Sequence, residues 1–163
     1  QAGGGTLLTQ GSHALDILFW SFGAKPVSAV GVTKNTKFTA VEVEDLAMGI
    51  IELENGGMVQ IASSMVATPE QPVTINLYGS KGTAIYTGPN FPRSKFKNAK
   101  IPKYRLKAKG GHALSRSLEA FTSWVLWDTP YHNAAENAIP VLASILAVYR
   151  SAKTNQAEKV MLW

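Results

Sequence analysis

Three polar residues at helical spacing are the first chemical candidates in this sequence. Thr9, His13 and Asp16 are four and three positions apart, so a helix would place them on one face while the neighbouring leucines pack elsewhere. An imidazole has an unperturbed pKa of about 6.5, which suits proton transfer near neutral pH. The alternative interpretation is a histidine that hydrogen-bonds the backbone or Asp16 and has no further role, because a lone histidine is a weak signal.

The composition excludes several classes of protein. The 163 residues contain no cysteine, which excludes disulfides, thiolate metal sites and a cysteine nucleophile and suits a reducing, cytoplasmic location. Only three histidines are present and none are paired at ligand spacing, so no metal site is expected. The longest apolar stretch, residues 138–149, is shorter than the roughly 20 residues that cross a bilayer, so no membrane association is expected.

The hydrophobic pattern of the first half predicts one helix followed by an antiparallel sheet. Apolar spacing indicates a helix over residues 9–22, which Gly23 ends. Residues 27–86 change to strand periodicity and contain two turn signals, Asn55-Gly56 and Ser80-Lys81-Gly82. Asn and Gly tolerate positive φ, so both residues of the first turn are expected to adopt it. Tight turns between strands indicate antiparallel pairing.

The second half predicts two helices and a short terminal strand. The first helix covers residues 113–126, Asn137 is expected to cap the second with Pro140 in its first turn, and residues 159–163 end as a strand. The predicted core faces are Leu114, Leu118, Phe121, Val125 and Leu126 in the first helix and Leu142, Ile145, Leu146 and Tyr149 in the second. This order predicts a single α+β domain over residues 1–163, a mainly antiparallel open sheet with helices packed on one face.

The strands at 46–65 are apolar at both alternating sets of positions. A sheet that is apolar on both faces must be covered on both. The helices cover one face, and the sheet of a second copy or another domain is expected to cover the other. The sequence therefore predicts a homo-oligomer through the sheet face.

Residues 93–109 form a basic segment that holds eight of the 16 Lys and Arg residues and no acid. The rest of the chain has a net charge of −3, because eight basic residues remain against 11 acidic ones. Alternation over residues 103–109 predicts a strand with one charged face. Three interpretations stay open: an edge strand protected from aggregation, a polyanion site, or steering of an acidic substrate. Few aromatic residues interleave, so nucleic acid is not an expected partner.

Five separated motifs occur in a characteristic order. They are residues 3–16, with the pattern G-G-G-x-L-x-x-x-G-x-H-x-x-D, then Val43-Glu44-Asp45, Glu54-Asn55-Gly56-Gly57, residues 77–83 (LYGSKGT) and residues 147–154 (AVYRSAKT). Together they resemble the C-terminal domain of the Gfo/Idh/MocA oxidoreductases, the glucose-fructose oxidoreductase and inositol dehydrogenase group, which has a dihydrodipicolinate reductase-like fold. The resemblance covers nearly the whole chain.

The resemblance implies a two-domain enzyme. Its N-terminal Rossmann domain would bind NAD or NADP, and the C-terminal domain would line the substrate site and form oligomers through its sheet. Residues 1–163 would be that substrate-binding and oligomerisation domain, with no cofactor-binding residue of its own. The sequence begins with Gln1 rather than Met. We therefore expect a fragment whose Rossmann domain lies outside this sequence and which is inactive alone.

The resemblance also assigns roles to the polar residues. The histidine matched by His13 faces the substrate in the family, which makes His13 the predicted catalytic residue, with Thr9, Asp16 and His132 as predicted substrate-binding residues. The predicted reaction is hydride transfer between a nicotinamide and a hydroxyl-bearing carbon of a sugar or cyclitol, the small-molecule partner. The family often has aspartate where Thr9 stands, and threonine cannot accept a proton at neutral pH, so an Asp-His relay is in doubt.

The alternative is a non-catalytic binding or assembly module of the same fold. Thr9 in place of aspartate favours it, as does the basic segment, through which such a module would bind a polyanion. An upstream nucleotide-binding sequence would support the enzyme instead. The sequence does not specify the substrate, the oxidised carbon, the choice between NAD and NADP, or the number of subunits.

Overall fold

The computed structural model describes residues 3–87, 95–97, 113–131 and 133–163, which form an α+β fold. The helical elements are a π-helical turn (Leu7–Gly11) that continues into α1 (Ser12–Phe22), then α2 (Ala113–Trp127) and α3 (Ala135–Thr154). The strands are β1 (Pro26–Lys34), β2 (Leu46–Leu53), β3 (Met58–Ser64), β4 (Thr74–Gly79), β5 (Gly82–Thr87), β6 (Lys95–Lys97) and β7 (Glu158–Lys159). The predicted order and fold class are confirmed.

The described strands form two open antiparallel sheets, ordered β3-β2-β1-β7 and β4-β5-β6. In the larger sheet Ile50 pairs with Val30 of β1 and with Gln60 of β3, and Met48 pairs with Val32. Buried and exposed residues alternate along β2 and β3. One face therefore forms the core with the helices, and the other is open.

The turn between β2 and β3 confirms the hairpin but corrects its geometry. The Gly56 N–H donates to Leu53 O at 2.9 Å, and the Leu53 N–H donates to Gly57 O at 2.8 Å. Gly56 has a φ of 78°, whereas Asn55 is not among the described residues with positive φ. Asn55 contributes through its side chain instead, because its Oδ1 accepts a hydrogen bond from the Gly57 N–H at 2.9 Å. Only one position of this turn therefore requires a left-handed backbone.

Helix α3 packs closely against the centre of the larger sheet because two paired glycines leave room for it. Gly31 and Gly49 are partners across β1 and β2. A Cβ at Gly31 would lie 2.5 Å from Val148 Cγ1, and one at Gly49 would lie 3.0 Å from Val148 Cγ2. The Gly31 N–H also donates to Ser151 Oγ at 3.0 Å. The buried face of α3 thus contacts the strand backbone directly.

The start of α3 differs from the prediction. The helix begins at Ala135 with Ala134 as its N-cap, so Asn137 lies inside the helix. Pro140 is consequently beyond the first turn, where its missing N–H removes a helical hydrogen bond. The Ser144 hydroxyl donates to Pro140 O at 2.7 Å. The proline is tolerated because the helix is held by its packing rather than by local propensity.

The buried face of α3 was only partly predicted. Ile145 is buried and Tyr149 is partly buried, but Leu142 and Leu146 are 38% and 37% exposed. The buried residues of α3 are Val141, Ala143, Ser144, Ile145, Ala147, Val148 and Ser151. Close approach to the glycine pair favours small side chains such as Ser144, Ala147 and Ser151, whereas hydrophobic periodicity indicates only the large apolar ones.

The predicted core face of α2 is wrong. Its five residues, Leu114, Leu118, Phe121, Val125 and Leu126, are all exposed. Tyr131 folds back onto the helix instead, stacking on Trp124 with ring centroids 5.6 Å apart and meeting Phe121 edge-on at 5.8 Å. The apolar periodicity correctly predicted that α2 is a helix. Periodicity does not reveal which surface covers an apolar face, and none of the described residues buries this one.

The terminal strand is shorter and earlier than predicted. Only Glu158 and Lys159 form β7, which pairs with Ser28 and Ala29 of β1. The Val160 N–H adds one hydrogen bond to Val27 O at 3.0 Å. The alternating strand predicted over residues 103–109 lies outside the described residues.

Substituting Gly31 tests the contact between α3 and the sheet. We expect Gly31→Ala to destabilise the protein by about 1–3 kcal/mol, because the new methyl overlaps Val148 and approaches Met48 O to 2.9 Å. The double variant Gly31→Ala/Val148→Ala should lose less than the sum of the two single losses, measured by urea unfolding. Gly3→Ala is the control, since a Cβ there contacts nothing within 4 Å. Strict additivity would contradict this packing.

Candidate functional site

The helical segment that carries the candidate histidine begins without a side-chain cap of its own. Thr6 occupies the N-cap position but makes no capping hydrogen bond. Its Oγ1 lies 2.7 Å from Ser63 Oγ, which donates in turn to Thr6 O at 3.0 Å. The first N–H groups of a helix lack partners within the helix and need acceptors from elsewhere. Glu44 supplies them: its backbone O accepts from the Thr6 N–H at 3.1 Å, and its Oε1 accepts from the Leu7 N–H at 3.0 Å.

Tyr149 of α3 binds the same carboxylate. Its hydroxyl donates to Glu44 Oε1 at 2.9 Å. Burial raises the pKa of Tyr149, and the hydrogen bond to Glu44 and the Glu44 charge raise it further. Backbone hydrogen bonds from Gly5 and Leu8 lower it by less, so the phenol remains a donor. A Cβ at Gly5 would overlap the Glu44 backbone oxygen and carboxylate. We call the contacts of Glu44 with Thr6, Leu7 and Tyr149 the Glu44 clamp.

Asp45, the next residue, fixes a different loop. Its carboxylate accepts hydrogen bonds from the backbone N–H groups of Thr36, Lys37 and Phe38 at 2.7–3.0 Å and from the Thr36 hydroxyl at 3.0 Å. Burial alone would raise the pKa of Asp45, but these hydrogen bonds outweigh it and lower the pKa from 3.8 to about 2. Asp45 is therefore a structural anion at neutral pH.

The three predicted helix residues are all exposed on the described surface. The Thr9 hydroxyl donates to Gly5 O at 3.0 Å, which reinforces the first turn. Within the described part of the chain, neither the His13 ring nor the Asp16 carboxylate makes a hydrogen bond or ion pair. The alternative in which His13 is held by Asp16 is therefore not what the structure shows, and the imidazole faces outward.

Two sequence predictions fall on residues that the structure does not describe. His132 lies outside the described ranges, as do residues 93–94 and 98–109 of the basic segment. Residues Lys95–Lys97 are described as β6, paired with β5 through Thr83, Ala84 and Ile85. His132 therefore stays a prediction.

A cleft of about 350 Å³ lies beside the Glu44 clamp. Its lining consists of Gly3, Gly4, Thr33, Lys34, Asn35, Glu42, Val43, Glu44, Tyr149 and Lys153. Thr9, His13 and Asp16 do not line it. The candidate catalytic face is therefore a different surface from this cleft. Glu44 and Tyr149 of the clamp line the cleft, and Glu44 also binds the start of the helix that carries the candidate catalytic face.

The glycine segment does not fit a dinucleotide. A phosphate binds a helix N-terminus through free backbone N–H groups and the positive end of the helix dipole. Here the Thr6 and Leu7 N–H groups are bonded to Glu44, whose negative charge would repel a phosphate. These residues therefore do not hold the pyrophosphate of NAD or NADP.

The described ranges contain neither a metal-binding cluster nor a membrane-spanning helix. Among these residues no group of three or more His, Asp or Glu side chains could hold a metal ion. In the same ranges, none of the helices combines the length and apolar character needed to cross a membrane.

Glu44 and Tyr149 were not predicted as functional residues. Both lie in motifs that carried the family resemblance, and that was the only signal in the sequence. They are 105 positions apart, so no spacing rule could pair them.

Comparison with known proteins identifies the family. A sequence model of the GFO/IDH/MocA C-terminal domain matches residues 1–85, slightly more than half of the chain. The chain belongs to the GFO/IDH/MocA family, in which it corresponds to the C-terminal domain. Among curated protein sequences, none is a significant match.

Solved structures share the fold across almost the entire chain. The WlbA dehydrogenase from Bordetella pertussis, solved with NADH and UDP-GlcNAcA, is 22% identical with a TM-score of 0.81, covering 98% of this chain and 46% of that one. An oxidoreductase domain protein from Kribbella flavida is 16% identical with a TM-score of 0.78 and coverages of 99% and 51%. The aldose-aldose oxidoreductase from Caulobacter crescentus, solved with glycerol, is 18% identical with a TM-score of 0.73 and coverages of 97% and 48%. The chain thus spans about half the length of these proteins.

The lowered pKa of Asp45 predicts a specific acid sensitivity. Between pH 3.8 and about 2 the unfolded carboxyl holds a proton that the folded one does not, so stability should fall as the pH drops through this window. Asp45→Asn should unfold at a lower temperature at pH 7, and its loss of stability between pH 4 and 2 should be shallower than that of the wild type. Asp16→Asn, at an exposed aspartate, is the control in these thermal unfolding experiments. Parallel pH profiles for wild type and Asp45→Asn would refute the role of Asp45.

Proposed function

We propose that this chain is the substrate-binding domain of an NAD(P)-dependent oxidoreductase that acts on a hydroxyl-bearing carbon of a sugar or cyclitol. The observation that carries the proposal is the exposed His13 ring on a helix whose start is fixed by the Glu44 clamp. The family membership supports the reaction class. The UDP-GlcNAcA bound to the Bordetella pertussis protein and the name of the Caulobacter crescentus protein, an aldose-aldose oxidoreductase, support the substrate class.

The proposed chemistry of this chain is one proton transfer. A nicotinamide held outside this chain would accept or supply the hydride. His13 would accept the hydroxyl proton as the hydroxyl-bearing carbon becomes a carbonyl, and would return it in the reverse direction. Thr9 and Asp16 share the exposed face of His13 and would bind neighbouring hydroxyl groups, as would His132. A Rossmann domain outside this sequence would hold the cofactor, because the glycine segment does not. We place the enzyme in the cytoplasm.

The proposal also includes self-association through the open face of the larger sheet. Val30, Val32, Met48, Ile50 and Met58 are exposed on this face by 49–71% and lie on adjacent strands. A cluster of exposed apolar side chains on one face favours a protein interface. We propose that a second copy of the chain covers it.

Replacing His13 tests the catalytic proposal in the full-length protein. A panel of sugars and cyclitols with NAD and NADP, followed by nicotinamide absorbance, first identifies a substrate. His13→Ala should then lower kcat/KM by about 100- to 10,000-fold, because general acid–base catalysis is lost. The pH dependence of kcat/KM that this base causes in the wild type should also disappear. Ser12→Ala, on the neighbouring position, is the control. An unchanged kcat/KM across pH would make the proton-transfer role wrong, and absence of any hydride transfer would favour the non-catalytic module.

A charge on the open sheet face tests self-association. Ile50→Glu should weaken it by about 100-fold or more, because two copies would juxtapose like charges at a cost of several kcal/mol. Light scattering over a concentration series measures the effect. Ile17→Glu is the matched control, since Ile17 is 42% exposed but lies on α1. Wild-type protein that stays monomeric at high concentration would contradict the proposed interface.

A further inference from the structure

Glu44, which lies just before β2, contacts two other parts of the fold. Its backbone and carboxylate oxygens bind the helix start at Thr6 and Leu7, and the carboxylate also binds Tyr149 of α3. By contrast, the exposed Glu54 accepts a hydrogen bond at 3.1 Å from the N–H of Lys25, which follows the opposite, C-terminal end of α1. Glu44 therefore joins three parts of the fold at the start of the helix that carries His13.

A carboxylate at this point is well suited to hold a helix. The N-terminus of a helix carries partial positive charge and unpaired N–H groups, so an anion there is stabilising. Thr6 cannot serve as the cap, because its hydroxyl is engaged with Ser63. Gly5 has no Cβ, which leaves room for the Glu44 carboxylate to approach. The position of the helix start is thus set by Glu44 rather than by its own residues.

The helix transmits this position to His13. Gly11 and Ser12 both have helical φ and ψ, so the π-helical turn continues into α1 without a break. At 1.5 Å of rise per residue, His13 lies only about 9 Å along the axis from Leu7. A shift or fraying of the first turn would therefore displace the imidazole.

We infer that Glu44 is a positioning residue for His13: its Oε1 fixes the start of the helix that presents the imidazole, and the Tyr149 hydroxyl fixes that carboxylate. The inference rests on the proposed proton-transfer role of His13. Glu44 itself touches no reacting atom. Misplacement of a reacting group by about 1 Å can cost roughly 100-fold in rate, which is the scale on which such a residue acts.

The experiment uses the full-length protein with ¹³C-labelled histidine and the variants Glu44→Ala, Glu44→Gln and Tyr149→Phe. In Glu44→Ala, amide exchange at Leu7 should accelerate about tenfold or more and the His13 resonance should shift, because a charge-assisted hydrogen bond is lost. Glu44→Gln retains an oxygen acceptor and should restore most of both signals. Tyr149→Phe should give an intermediate effect. Glu54→Ala is the matched control and should change neither.

Turnover provides a second measurement on whichever substrate the panel identifies. Glu44→Ala should lower kcat by about 10- to 100-fold with a smaller change in KM, because orientation of the imidazole is lost while most substrate contacts remain. Glu44→Gln should recover most of kcat. A purely structural role would instead lower the amount of folded enzyme and leave the kcat of the folded fraction unchanged.

Clear results would overturn the inference. A folded Glu44→Ala variant with wild-type Leu7 exchange and an unshifted His13 resonance would do so. If Glu44→Ala does not fold, Tyr149→Phe decides, and wild-type exchange and resonance in that variant refute the inference. Failure of the proposed function is distinguishable, since it appears as full activity in His13→Ala whatever the exchange data show.

Discussion

The contact of α3 with the paired glycines of the sheet is the constraint on which the rest of this structure depends. Gly31 and Gly49 expose strand backbone, Val148 fills the space that their side chains would occupy, and Ser151 accepts the Gly31 N–H. Tyr149 follows Val148 directly, so the same packing determines where its hydroxyl lies. The packing of α3 on the sheet thus positions the Tyr149 hydroxyl, which donates a hydrogen bond to the Glu44 carboxylate. The packing of α3 therefore determines part of the geometry of the candidate site.

The two adjacent acids before β2 hold different segments. They lie in the irregular segment that precedes the strand, with a bend at Asp45. Glu44 reaches the helix start and α3, while Asp45 reaches the backbone of residues 36–38. Each carboxylate accepts hydrogen bonds from backbone N–H groups that lack a partner within their own segment of the chain. One dipeptide thus fixes two loops at the same end of the sheet.

The fold could be predicted from the sequence, but the residues that fix the geometry of the candidate site could not. Strand alternation and the turn at Asn55-Gly56 predicted the antiparallel sheet, because these signals are local. The buried face of α3 was misjudged because close approach to glycine favours small residues, which hydrophobic patterns overlook. The spacing with Thr9 and Asp16 made His13 a candidate, and the family resemblance gave it its predicted catalytic role. Glu44 could not be paired with Leu7, 37 positions away, without coordinates.

Holding the helix start rather than the ring suits the proton-transfer role proposed for His13. A carboxylate bonded directly to an imidazole favours its protonated form and occupies one of its nitrogens. Glu44 instead acts through backbone N–H groups, so the His13 ring stays exposed and unpaired within the described residues. The same carboxylate occupies the helix N-terminus that a phosphate would otherwise use. Orientation of the histidine and exclusion of the nucleotide from this position therefore follow from a single residue.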